Sequence, residues 1–134
     1  MTGNQGKFSI SMKVRDYECD MQGIVNNSVY LNYLEHARHE FLETVGLNFK
    51  TLLEKGIYLV AVQADQLYKR PLLSGQEFNV TCQMYPESKF KIRFKHEIYN
   101  ERDELVLEGN MVVAAIDKDR KPVLISSFYQ VVGA

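Results

Sequence analysis

The chain has 134 residues, 46% of them apolar and 25% charged, enough for one domain to bury a core without disulfides or a structural metal. Sixteen basic residues against seventeen acidic ones leave a formal charge of -1, which argues against a nucleic-acid binder and its basic surplus. Cys19 and Cys82 are far apart, no apolar run reaches membrane-spanning length, and the N-terminus lacks the layout of a signal peptide; these features point to a cytoplasmic protein with reduced thiols and no membrane partner.

With no internal repeat and no linker-like stretch, residues 1–134 read as a single domain. Residues 7–14 alternate, with Phe8, Ile10, Met12 and Val14 on one face, as in a half-buried strand. Residues 15–26 are polar and turn-rich around Gly23. A long helix is expected next, with Asn27 as N-cap, since its side chain can accept from first-turn N–H groups. Tyr30, Leu34, Ala37, Phe41 and Val45 recur at three- and four-residue steps and mark its core face. Val29, Leu31, Tyr33 and Leu42 widen that face, and Gly46 supplies the stop. Residues 49–55 suit a short second helix ending at Gly56.

From residue 57 the apolar period changes to two. Strands are expected over 57–68 (closed by Pro71) and 77–85, then around Phe90, Ile92 and Phe94 in alternation with Lys89, Lys91, Arg93 and Lys95. A hairpin turn at 100–103 leads to a long strand at 105–116, interrupted by Gly109. A turn at 117–121 leads to a last strand at 123–132. Short turns make neighbouring strands antiparallel, and one apolar helix must cover one face of the sheet. The expected fold is α+β: an antiparallel sheet of about five to six strands wrapped around one long central helix. Its edges need protection, and pairing with a second copy would extend the sheet across a dimer.

The run VRDYECDMQGIVNNSVYLNYLEHARHEFLE, beginning at Val14, resembles the signature of hotdog-fold thioesterases of the 4-hydroxybenzoyl-CoA thioesterase type. Asp20, Gly23, Ile24-Val25, Asn26-Asn27, Tyr30 and Glu35-His36-Ala37-Arg38 stand where that pattern places its features. YKRPLLSGQE from Tyr68 and the stretch from Ser88 to His96 are weaker matches of the same kind. The resemblance implies a hotdog fold and hydrolysis of an acyl-CoA thioester to a carboxylic acid and coenzyme A, without metal or organic cofactor, in a homodimer or homotetramer with its sites between subunits.

On that reading Asp20 is the catalytic carboxylate. A carboxylate is ionised at neutral pH and can attack a carbonyl or activate water. The backbone N–H of Asn27, at the positive end of a helix, would polarise the thioester carbonyl. Gly23, Val25, Asn26 and Tyr30 are the expected substrate contacts, and Lys69 and Arg70 could meet the coenzyme A phosphates, as could the basic face of Lys89, Lys91, Arg93 and Lys95. Asp16 and Glu18 read as loop-structuring groups, Arg38 as a partner for a carboxylate within the motif, and His36 and His39 as a solvated or subunit-facing stripe. A hotdog hydratase or dehydratase, and a non-catalytic acyl-CoA or acyl-carrier-binding module, are the competing classes.

Overall fold

The computed structural model describes residues 7–47 and 49–126. Strand β1 (Phe8–Lys13) and a short 3-10 turn (Asp16–Glu18) precede the long helix α1 (Asn27–Thr44) and the short helix α2 (Phe49–Glu54). Four strands follow: β2 (Tyr58–Tyr68), β3 (Glu77–Ser88), β4 (Lys91–Asn100) and β5 (Leu105–Ile116). They form one antiparallel sheet in the order β1-β3-β4-β5-β2. Residue period selects its inner face. Ile92, Phe94, His96 and Ile98 of β4 are fully buried, while the intervening Lys91, Arg93, Lys95 and Glu97 stay at least partly exposed, so α1 covers one face only.

Two apolar clusters lie between helix and sheet. Tyr30, Tyr33, Leu34 and Ala37 of α1 pack with Val25, Leu72, Phe78, Val80, Ile98 and Leu107. Leu42 joins Leu47, Leu52, Ile57, Ile92, Phe94 and Val113. Gly109 does not interrupt β5. It pairs with Gln66 on one side and His96 on the other, and a Cβ there would stand 3.1 Å from Leu34 Cδ1. The missing side chain is what lets α1 approach the sheet closely.

Other departures from the sequence reading are local. Asn26, not Asn27, is the N-cap of α1; its backbone is extended (φ -64°, ψ 144°) and its side chain makes no capping bond. The Asn26 N–H is already held by the Glu18 carbonyl at 3.1 Å, which fixes where the extended segment ends and the helix begins. Leu31 is exposed rather than part of the buried face. Phe90 lies in the turn before β4, not in the strand. Residues 123–126 are not strand: Pro122 makes an isolated bridge to Ile116, and Ile125 and Ser126 begin a helical turn. The rest of the expected last strand lies outside the described residues. Gly46, at φ 80°, ends α1 as expected.

Helix α1 and edge strand β2 run in opposite directions. Asn27 and Tyr30, at the start of α1, lie beside Tyr68 at the end of β2, whereas Glu35, Arg38 and Leu42 lie beside Leu59 and Ala61 near its start. β2 is almost entirely exposed, with Val60, Val62 and Leu67 uncovered. Among the described residues no helix is long and apolar enough to cross a membrane.

Candidate active site

The loop before α1 folds as a small two-armed ladder. Asp20 N–H donates to the Ile24 carbonyl at 2.9 Å, Cys19 bridges Val25, and Asn26 N–H donates to the Glu18 carbonyl. Gly23 turns the chain at φ 80°, a left-handed conformation that suits glycine. Asp20 therefore sits two ladder steps, roughly 7 Å of backbone, from the entrance to the helix. Its Oδ1 accepts from the N–H groups of Gln22 (2.8 Å) and Ile24 (3.4 Å), so the carboxylate caps its own turn. Both bonds use one oxygen; Oδ2 has no partner among the described residues, and the side chain is exposed.

The first turn of α1 is open in the complementary sense. Val29 N–H reaches back to the Asn26 carbonyl at 3.0 Å, but the N–H groups of Asn27 and Ser28 meet no acceptor among the described residues. An uncapped helix start offers such donors together with the positive end of the dipole.

Opposite this turn lies segment 71–76. Val25 N–H donates to the Leu72 carbonyl and Ser74 N–H to the Gly23 carbonyl, both at 3.0 Å. Tyr30 fixes the segment from the helix side, its buried hydroxyl accepting from Leu72 N–H at 3.1 Å. Val25, Asn27, Tyr30, Tyr68, Lys69 and Arg70 line a cleft of 260 Å³. The structure thus brings together Val25, Asn27, Tyr30, Lys69 and Arg70, with Asp20, Gly23 and Asn26 on the adjoining loop. Arg70 also lies 3.5 Å from Glu104 in an exposed pair. Arg93 of the basic strand face is already bound twice by Glu87, at 2.9 and 3.0 Å.

Residues 14–131 match the thioesterase-like superfamily. The chain belongs to that superfamily. It is 38% identical over 119 residues to a chloroplastic acyl-acyl carrier protein thioesterase of Arabidopsis thaliana, covering 88% of this chain and 63% of that protein, less than two thirds of its length. It is 30% identical over 105 residues to the long-chain acyl-CoA thioesterase of Escherichia coli, covering 78% of this chain and 75% of that one. The crystal structure of a 1,4-dihydroxy-2-naphthoyl-CoA thioesterase from Synechocystis superposes with a TM-score of 0.86 at 20% identity over 95% of each chain. The fold is the hotdog fold.

Within this thioesterase-superfamily chain, Glu18 is the loop's structural carboxylate. It accepts from Tyr33 Oη (2.7 Å), Arg15 N–H (2.9 Å) and Arg15 Nη1 (3.0 Å). Partial burial raises its pKa, but these bonds outweigh that effect and hold it below the ordinary glutamate value. Tyr30 is structural in the same way. Tyr30→Phe removes the acceptor of a buried N–H and should cost about 1–3 kcal/mol in urea unfolding, because an orphaned donor bears its full desolvation penalty.

Among the described residues Arg38 forms no ion pair with a carboxylate. Its Nη1 lies 3.2 Å from Nε2 of fully buried His96, whose Nδ1 lies 2.9 Å from the Thr81 carbonyl. Arginine can only donate and a carbonyl only accept, so His96 is the neutral tautomer protonated on Nδ1. Burial and the neighbouring guanidinium push its pKa down to about 4. Neither folded nor unfolded chain protonates His96 above pH 6.5. Between 6.5 and about 4 only the unfolded chain binds that proton, so stability falls as pH drops through this window, by up to roughly 3 kcal/mol. Urea denaturation at pH 7 and pH 4.5 should show that loss in the wild type and a smaller one in His96→Gln. No periodic signal marks this pair, because Arg38 and His96 meet only when α1 lies across β4. His39 lies 3.8 Å from Glu35 on the same helix face. Among the described residues no group of His, Cys, Asp and Glu could hold a metal ion.

Proposed function

We propose that this protein hydrolyses acyl-CoA thioesters to a carboxylic acid and coenzyme A. One observation carries the reading: a helix start whose first two N–H groups meet no acceptor among the described residues lies two ladder steps from a loop carboxylate with one oxygen unpartnered among them. The thioester carbonyl oxygen would rest on the N–H of Asn27, joined by that of Ser28, where developing negative charge is stabilised. Asp20 then either attacks the carbonyl, expelling the thiolate and leaving an anhydride that water cleaves, or takes a proton from the attacking water. Gly23 shapes the turn, while Val25, Asn26 and Tyr30 border the reacting group. Lys69 and Arg70, on the rim of the cleft, suit the phosphates of the nucleotide end.

The apolar, uncovered edge of β2 supports an assembly in which a second copy pairs along it, giving a homodimer or a dimer of dimers with the clefts near the subunit boundary. A single hotdog domain acting in the cytoplasm belongs to the same proposal. The Arabidopsis relative's name favours a second substrate form, the thioester of an acyl carrier protein. Free-thiol release from short, long and aromatic acyl-CoAs, measured beside the matching acyl-carrier thioesters, separates the two. Hydrolysis of the carrier thioesters alone would transfer the assignment to them; release from neither would leave a hydratase or a binding module.

A further inference from the structure

Because α1 and β2 run in opposite directions, the space between helix and sheet is built in successive levels. At the first, Tyr68 of β2 pairs with Leu107, and its ring meets that of Tyr30 edge-on at 5.5 Å. This level belongs to the cleft that Val25 and Asn27 also line. At the second level Gln66 pairs with Gly109. Leu34, one helical turn beyond Tyr30, presses onto that glycine, with its Cδ1 3.1 Å from where a Cβ would stand. Leu34 is buried, and Gln66 Nε2 is shut off from solvent. Ala61, Met111 and Val113 belong to the levels beyond, where they wall a different pocket of 180 Å³. No residue lining that pocket also lines the cleft. Helix and sheet are thus in contact between the two spaces.

The reach available from Asn27 follows from helix geometry. The seven-residue step from Asn27 to Leu34 spans roughly 10 Å along the axis. Leu34 leans back toward the N-terminus and shortens it. An extended chain advances about 1.2 Å per bond, as a backbone does. The five bonds of a hexanoyl group then need about 6 Å, the seven of octanoyl about 8 Å and the eleven of dodecanoyl about 13 Å. The last would have to pass between Leu34 and Gly109, and close-packed interiors do not yield such space cheaply. Octanoyl would end among the rings of Tyr30 and Tyr68.

We infer that the cleft takes short acyl chains, of about six carbons or fewer, and that Tyr68 sets this limit as the end wall, with the Leu34–Gly109 contact behind it. The inference rests on the thioesterase reading, which puts the carbonyl on Asn27 N–H and the nucleotide end toward Lys69 and Arg70. The acyl chain is left with the apolar side of the cleft, Val25, Tyr30 and Tyr68. Tyr30 is committed to Leu72 N–H through its hydroxyl. Tyr68 is 47% exposed, so it can be truncated with little effect on folding.

The test measures kcat/KM for hexanoyl-, octanoyl- and dodecanoyl-CoA, or for the same acyl groups on whichever carrier is cleaved. Wild type should favour hexanoyl over dodecanoyl tenfold or more. Tyr68→Ala should raise the octanoyl-to-hexanoyl ratio about tenfold, the effect of burying two further methylenes, while dodecanoyl stays poor. Tyr68→Phe, which keeps the ring, should leave the ratio unchanged. A wild-type preference for dodecanoyl overturns the inference, as does an unchanged ratio in Tyr68→Ala or an equal rise in Tyr68→Phe. Calorimetric binding of the same three acyl-CoAs separates these failures from failure of the thioesterase reading. If nothing is cleaved but hexanoyl-CoA binds more tightly than dodecanoyl-CoA, and Tyr68→Ala improves octanoyl-CoA, the cleft assignment stands. If nothing is cleaved and dodecanoyl-CoA binds as tightly as hexanoyl-CoA, it falls.

Discussion

Asp20→Asn should lower kcat for acyl-CoA hydrolysis by about 10³-fold or more while the protein stays folded. Asparagine keeps an oxygen where Asp20 Oδ1 accepts from Gln22 and Ile24, so the turn that positions the residue persists. The side chain is exposed, and exposed substitutions of this kind change stability by about 0.5 kcal/mol or less. What the amide lacks is an ionised oxygen able to attack or to accept a proton. Glu18 is committed to Tyr33 and Arg15. The expected pattern is an unchanged urea midpoint with turnover nearly gone. Retained turnover in the variant would mean that another group performs the chemistry.

Asn27→Pro should reduce kcat by about 10²- to 10³-fold, the usual consequence of losing one oxyanion donor, again without unfolding. Asn27 is the first residue of α1, the position where proline is best tolerated because its missing N–H has no intrahelical partner. Asn26, the residue before it, is already extended (φ -64°, ψ 144°), as a residue preceding proline must be. The substitution therefore removes one hydrogen atom from the site and little else. Asn27→Ala, which retains the N–H, is the comparison. A kcat loss confined to proline identifies the backbone donor; equal losses in both variants would assign the effect to the side chain instead.

Much of the architecture was legible in residue order because period and turn chemistry are local. The step from three-and-four spacing in Tyr30, Leu34 and Ala37 to two-residue alternation in Ile92, Phe94 and Ile98 reports the change from helix to strand directly. Gly46 marked the helix end, since only the backbone at that residue decides it. The motif around Asp20 and Asn27 was legible for the same reason: loop, cap and first turn form one short contiguous stretch. The N-cap was displaced by one residue because the Glu18 carbonyl, held in its own turn, captures the Asn26 N–H, a contact between arms that period does not encode. Phe90 alternates in step with β4 but is consumed by the preceding turn.

By itself, then, the sequence determined the α+β class, the order of the elements up to residue 116, the family signature and the residues available for chemistry, since each depends on neighbours within a few positions. The tertiary structure alone decided what distant segments share. It set Gly109 beneath Leu34, closed the cleft by carrying Lys69 and Arg70 to the start of α1, and gave Arg38 a neutral histidine instead of a carboxylate. It also buried Gln66 Nε2 with no partner among the described residues. These outcomes follow from how a helix lies across a twisted sheet, where residues far apart in sequence meet by register and crossing, and no local pattern records that meeting.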